Sequence, residues 1–233
     1  MINDKHYSPM LNVRLKNLLA TGDYEALTTY LDTLSNSSFR TAGYMIGERF
    51  MPTMEPADFW ALFAVLLRYN AKAFLVTMLK ALTDKLSQGT FGIRDSALVD
   101  VLRLIADNET DTQKTLQNVL PVLDHPSDVE FLFEVLAVDS PSSRVAYLLR
   151  VPTMPCYYVL LRTLHYLEHE RPFLIRTAHY LMKSGDKHAF NMASLLRSVY
   201  GLDEVKGTFS LQLQPYQISR IEASYEAFCE TIK

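Results

Sequence analysis

Phe74-Leu75-Val76-Thr77-Met78-Leu79-Lys80-Ala81-Leu82-Thr83-Asp84-Lys85-Leu86 is the stretch whose reading decides the fold. Phe74, Leu75, Met78, Leu79, Leu82 and Leu86 recur at i, i+3, i+4 and i+7, while Lys72, Lys80, Asp84 and Lys85 fall off that stripe. One face of an α-helix gives this spacing; a half-buried strand, with its period of two, does not. The same pattern returns upstream in Leu11, Leu15, Leu18 and Leu19, then in Leu27, Tyr30, Leu31 and Leu34, and downstream in Leu98, Val101, Leu102 and Ile105. An all-α protein is therefore expected.

The punctuation between these segments agrees. Proline lacks an N–H and has its φ preset, so it suits the first helical turn. Pro9, Pro56, Pro126, Pro141, Pro155, Pro172 and Pro215 all stand where a periodic segment begins. Ser8 and Ser140 precede two of them as candidate N-caps, and Ser127-Asp128-Val129-Glu130 reads as a capping box. Gly22, Gly185 and Gly201 follow helical stretches, where a left-handed residue closes the last turn most cheaply. The predicted helices cover roughly 9–20, 23–34, 37–50, 56–69, 71–87, 95–107, 111–123, 127–138, 141–150, 155–169, 172–184, 186–200 and 215–232. That is about 12–13 helices in a single domain over 1–233, with short connections that favour antiparallel neighbours.

Two turns carry a resemblance. Gly22-Asp23-Tyr24-Glu25-Ala26-Leu27 is similar to the hairpin turn of tetratricopeptide-like repeats, and Gly185-Asp186-Lys187-His188-Ala189-Phe190 repeats its Gly-Asp-x-x-Ala frame. The glycine ends one helix, the aspartate caps the next, and the alanine lets two helices approach. The family's Trp, Leu-Gly and closing Pro positions are missing around both copies. The likeness is thus to helical-hairpin arrays in general, tetratricopeptide- or HEAT-like, and it implies an irregular α-solenoid of stacked antiparallel hairpins.

Two segments depart from the rule. Phe59-Trp60-Ala61-Leu62-Phe63-Ala64-Val65-Leu66-Leu67 is apolar on every side, as in a helix buried all round. Gly207-Thr208-Phe209-Ser210-Leu211-Gln212-Leu213-Gln214 alternates with a period of two, so a short extended strap is expected near 208–213. Gly89-Thr90-Phe91-Gly92-Ile93 echoes it, and the two together suggest a small ribbon.

Composition narrows the functional classes. With 48% hydrophobic residues in 233, the chain can bury its own core without metal or disulfide. The longest apolar run, 59–67, is nine residues, against about 20 for a bilayer span. The polar start, Met1-Ile2-Asn3-Asp4-Lys5-His6-Tyr7, carries no secretory leader, so a cytoplasmic protein is expected. Cys156 and Cys229, far apart and outside any CxxC, read as reduced thiols.

The net charge of −3 conceals a polarity. Residues 109–143 carry seven acidic and one basic side chain, and 144–201 carry eight basic and three acidic. The eight, Arg144, Arg150, Arg162, Arg171, Arg176, Lys183, Lys187 and Arg197, are the candidate surface for an acidic partner, interleaved with Tyr147, Tyr157, Tyr158, Tyr166, Tyr180 and Tyr200. A continuous positive face of that kind fits a nucleic-acid backbone, or the acidic stretch of a second copy.

Motifs for chemistry are sparse. His165-Tyr166-Leu167-Glu168-His169 matches the H-x-x-E-H pattern of inverted zinc peptidases. On a helical wheel, however, His165 and His169 lie together on the flank of the apolar face, while Glu168 points nearer that face, away from a shared water. His165, Glu168 and His169 thus read as a surface group open to adventitious nickel or zinc. Cys156, beside Pro155 at a helix start, reads as structural. No phosphate loop, dinucleotide fingerprint or nucleophile elbow occurs, and no cofactor is expected. The sequence favours a non-enzymatic interaction or scaffold protein binding a protein partner or itself. The alternatives are nucleic-acid binding through 144–201 and an enzyme without a recognisable motif.

Overall fold

The computed structural model describes residues 9–167, 171–183 and 187–205, together with Tyr216 and Ala223. Among the described residues the protein is all-helical, with eleven α-helices and no strand. The chain divides into two compact units, Met1–Val122 and Leu123–Lys233.

The first unit holds α1 (Pro9–Thr21), α2 (Tyr24–Asp32), α3 (Asn36–Met45), α4 (Pro56–Ser87), α5 (Ser96–Ala106) and α6 (Glu109–Val119). Gly22, at φ +67°, closes α1, and the Asp23 carboxylate accepts from the Ala26 N–H at 2.9 Å to open α2, as the Gly-Asp turn requires. α3 does not stop at Met45. It widens into a π-helical turn, Ile46–Phe50, and then tightens into a 3₁₀ turn, Met51–Thr53.

α4 is the centre of this unit and packs against α2, α3, α5 and α6. Its 32 residues are long and apolar enough, by length and composition, to cross a membrane. The helix is nevertheless broken at Asn70 (φ −162°, ψ 76°), whose side-chain oxygen accepts from the Ala73 N–H at 3.2 Å and caps the second half. The two halves fold back on one another. Lys85 Nζ donates to the Met54 carbonyl at 3.1 Å, and the Phe91 ring lies 4.6 Å from Trp60 and 5.1 Å from Phe59. In a straight helix, Pro56 and Lys85 would stand about 44 Å apart at 1.5 Å per residue. The sequence boundaries 56–69 and 71–87 therefore describe a true hairpin. Tyr69 donates its hydroxyl to Asp32 beside the break, and burial, followed by that carboxylate, pushes its phenol up to about 12.

The helix around Trp60 is less uniformly buried than its composition suggests. Phe59, Trp60, Leu62, Phe63, Leu66 and Leu67 are buried, but Ala61 is exposed and Ala64 and Val65 are half-exposed. Small side chains form the outer strip, so little apolar area meets water. The stripe from Phe74 to Leu86 is buried throughout. Lys85, placed off that stripe by the sequence, is only 6% exposed: its stem lies in the core and its ammonium meets the Met54 carbonyl and the Phe91 ring.

The Gly89–Ile93 segment is a turn, not a ribbon strand; it buries Ile93 and packs Phe91 on Phe59 and Trp60 of α4. Its proposed mate, 208–213, lies outside the described residues, as do Ser8, Gly185, Pro215, Cys229 and most of the helix expected over 215–232.

The second unit holds α7 (Pro126–Val135), α8 (Pro141–Leu148), α9 (Met154–His165), α10 (Arg171–Lys183) and α11 (Lys187–Tyr200). α9 packs against α7, α8 and α11, and α10 against α11. The capping box is corrected. Pro126 takes the first helical position and His125 the cap, which moves Ser127 inside the helix, where its hydroxyl meets His125 Nδ1 at 2.9 Å.

Candidate interaction site

A groove of about 600 Å³ runs between α3 and the second half of α4 in the first unit. Its floor is apolar or small: Phe39 and Gly43 from α3, Phe74 and Thr77 from α4. The Phe39 and Phe74 rings meet edge-on at 5.3 Å. Its rim carries Arg40 and Tyr44 on α3, and Lys72 and Val76 on α4. Tyr44 is 51% and Val76 62% exposed, unusual for side chains of their size.

Glycine spacing sets the depth. Gly43 and Gly47 stand one turn apart, and both face α4. A Cβ on Gly43 would lie 3.4 Å from the Phe74 ring; one on Gly47 would lie 2.9 Å from both the Thr77 Cβ and the Thr77 carbonyl oxygen. No larger residue fits at Gly47 without moving a helix. The π turn begins at Ile46 beside this contact, and Glu48 within it pairs with Lys80 of α4 at 3.0 Å. The pairs 43/74, 47/77 and 48/80 rise together, so α3 and this half of α4 run in the same direction.

The electrostatics of the groove are one-sided. Among the described residues no carboxylate lines it, and no ion pair or side-chain hydrogen bond engages Arg40 or Lys72. Sequence reasoning missed this site. The legible signals were Gly43-x-x-x-Gly47 and the exposed positions Lys72 and Val76 beside the core stripe.

The predicted basic residues of 144–201 are placed differently. Arg144 is turned inward: its Nε donates to the Val138 carbonyl at 2.6 Å and its guanidinium lies 5.6 Å over the Phe133 ring. Arg162 pairs with Glu130 at 3.0 Å. Arg171 clamps Glu204 through two nitrogens, at 2.8 and 2.7 Å, and also donates to the Gly201 carbonyl. Arg197 is half-buried and engaged. Arg150, Arg176 and Lys183 are exposed, and the Lys187 side chain lies outside the described residues. On α10, Arg176, His179, Tyr180 and Lys183 are all exposed at i, i+3, i+4 and i+7, opposite the buried Leu174, Thr177, Ala178 and Leu181.

A second cavity, about 340 Å³, lies among α7, α8 and α9. Glu130, Glu134 and Asp139 line it with Arg144, Arg162, Thr163 and Tyr166. Both of its arginines are already met by protein oxygens.

The candidate metal group, His165, Glu168 and His169, is described only at its first member. α9 ends at His165, and Glu168 and His169 lie outside the described residues. Among the described residues no cluster of three His, Cys, Asp or Glu side chains is placed to hold a metal ion. Cys156 is fully buried, and that burial pushes its thiol up to about 11. Its thiolate is thereby suppressed and its place in the fold is structural.

Comparison with protein-family models, curated proteins and solved structures finds no match to this chain.

Proposed function

We propose that this protein is a non-enzymatic, helical interaction protein, acting as a scaffold that holds a protein partner or a second copy. The groove between α3 and α4 carries the reading: an apolar floor under exposed Tyr44 and Val76, flanked by two cations that meet no carboxylate among the described residues. A partner that covers such a surface gains apolar burial and supplies the missing counter-charge. Hairpins stacked as in an irregular α-solenoid would present faces of this kind, and a cytoplasmic setting would suit the free thiol of Cys156.

The test is site-specific photo-crosslinking in the source cell. A benzophenone side chain at position 44 should yield a discrete adduct with a protein, while the same group at Ala61, exposed on the other half of the hairpin, should not. Equal labelling at both positions, or none at 44, would refute the reading.

A second reading rests on α10. Its exposed row of Arg176, His179, Tyr180 and Lys183 is what remains of the basic stretch as a surface for nucleic-acid phosphates. Retention on heparin that falls steeply with salt and disappears in Arg176→Glu/Lys183→Glu would favour it.

A further inference from the structure

The groove also indicates what kind of segment it takes. We propose that the α3/α4 groove binds an amphipathic helix whose apolar stripe is flanked by carboxylates. This deepens the interaction reading above and rests on it.

Length comes first. Asn36, Arg40 and Tyr44 step along the α3 wall at i, i+4 and i+8, which is about 12 Å at 1.5 Å per residue, or roughly two turns of an incoming helix. Two turns present apolar anchors at i, i+3 or i+4, and i+7, the usual pattern for a helix lying in a groove. An extended strand would need a continuous row of unpaired backbone groups to pair with, and both walls here are helices whose backbone groups beyond the first turn are satisfied internally. The close approach fixed at Gly47 keeps the floor shallow and open, so it receives the ends of side chains.

Charge comes second. Arg40 and Lys72 sit on opposite walls, one on each helix. An occupant crossing the floor between them passes within reach of a cation on either side. A segment with Glu or Asp on both flanks of its stripe pairs with each. One with Lys or Arg there meets two like charges, and like-charge juxtaposition is strongly unfavourable in an interface. A nucleic-acid strand would satisfy the cations but leave Phe39, Tyr44 and Val76 without apolar cover; among these only Tyr44 offers an exposed ring for stacking.

The test uses labelled synthetic 15-residue peptides and fluorescence anisotropy on the full chain. One peptide carries a Leu stripe at i, i+3, i+4 and i+7 with Glu flanks. A second replaces Glu with Lys, and a third keeps Glu but replaces the Leu stripe with Ser. The first should bind, and the other two should bind at least about tenfold more weakly. Arg40→Glu/Lys72→Glu should weaken the first peptide and strengthen the second, with an unchanged melting temperature because neither side chain has a partner among the described residues. Val76→Asp, on the rim, should weaken the first peptide independently. Equal binding of the Glu and Lys peptides, indifference to the double reversal, or displacement of the first peptide by a 20-nucleotide single strand would overturn the inference. An adduct at position 44 whose cross-linked segment lacks carboxylates would overturn it too, while leaving the interaction reading intact. Absence of any adduct at 44 would remove both.

Discussion

The cations around the two cavities, one in each unit, are used in opposite ways. In the second unit, Arg144, Arg162 and Arg171 are each bound to oxygens of the same unit, and the cavity that Arg144 and Arg162 help line also contains Glu130, Glu134 and Asp139. In the first unit, Arg40 and Lys72 flank a groove with no carboxylate in its lining. Yet the sequence concentrates its basic side chains in 144–201, inside the second unit, and shows no comparable stretch in the first. Net charge along a sequence counts residues, whereas a binding surface depends on which charges remain unmatched once the chain has folded. An arginine tied to a carbonyl or carboxylate within the fold has little field left for a partner.

The contrast can be broken most severely through the core that holds the groove up. Trp60 is 5% exposed and packs on Phe59, Phe63 and Phe91. Trp60→Ala should cost about 3–5 kcal/mol, read as a lower midpoint in denaturant at unchanged slope. A midpoint within error of the parent would show that the α4 hairpin does not need this cluster. Gly47→Ala is a finer break. In an exposed helix the change would gain roughly 1 kcal/mol. Here the new methyl meets the Thr77 backbone, so a loss of about 1–3 kcal/mol is expected, together with a groove altered at its base. A stabilised variant would contradict the close approach of α3 and α4.

A matched pair of substitutions sharpens the comparison. Arg162→Gln removes a cation from a partly buried pair and leaves Glu130 short of a donor, which should cost about 1–2 kcal/mol. Arg40→Gln removes a cation that has no partner, and stability should stay within about 0.5 kcal/mol of the parent. Equal losses would mean that Arg40 is as fully engaged as Arg162, and the groove would lose its claim to spare charge.

Much of the fold was legible because helical periodicity is local. The buried stripe of α4, the Gly22-Asp23 turn and the break between 69 and 71 follow from spacing and caps within a few residues. What escaped depended on partners distant in sequence. Lys85 looks like a surface lysine until α4 folds back and brings Met54 and Phe91 to it. Phe91 and Ile93 share a pattern with a strand, but the nearest apolar surface is the hairpin they follow, and they close over it as a turn. The capping box failed by a narrow margin: Pro126 can take the first helical position as readily as Ser127 can cap, and proline prevailed. The groove was least visible, since it exists only where two walls, some 30 residues apart, converge on Gly43 and Gly47.

The smallest effect lies in a well-exposed matched pair of the second unit, where α10 begins and α11 ends. Arg171 holds Glu204 through two nitrogens, and this hydrogen bonding, with the coulombic attraction behind it, lowers the carboxyl pKa of Glu204 and raises that of Arg171. A carboxyl group lowered on folding contributes stability above its unfolded value, near 4.3 for glutamate, and loses it as pH falls through the lower folded value. Glu204→Gln removes the titration but leaves the bond from Arg171 to the Gly201 carbonyl in place. The parent should therefore melt slightly above the variant at pH 7, by an amount that 1 M salt largely screens. That gap should hold down to about pH 5 and close as the pH drops below about 4. A gap that instead widened in acid would mean that Glu204 is held in its protonated form, and that the clamp at Arg171 is not the matched pair that sets the second unit apart.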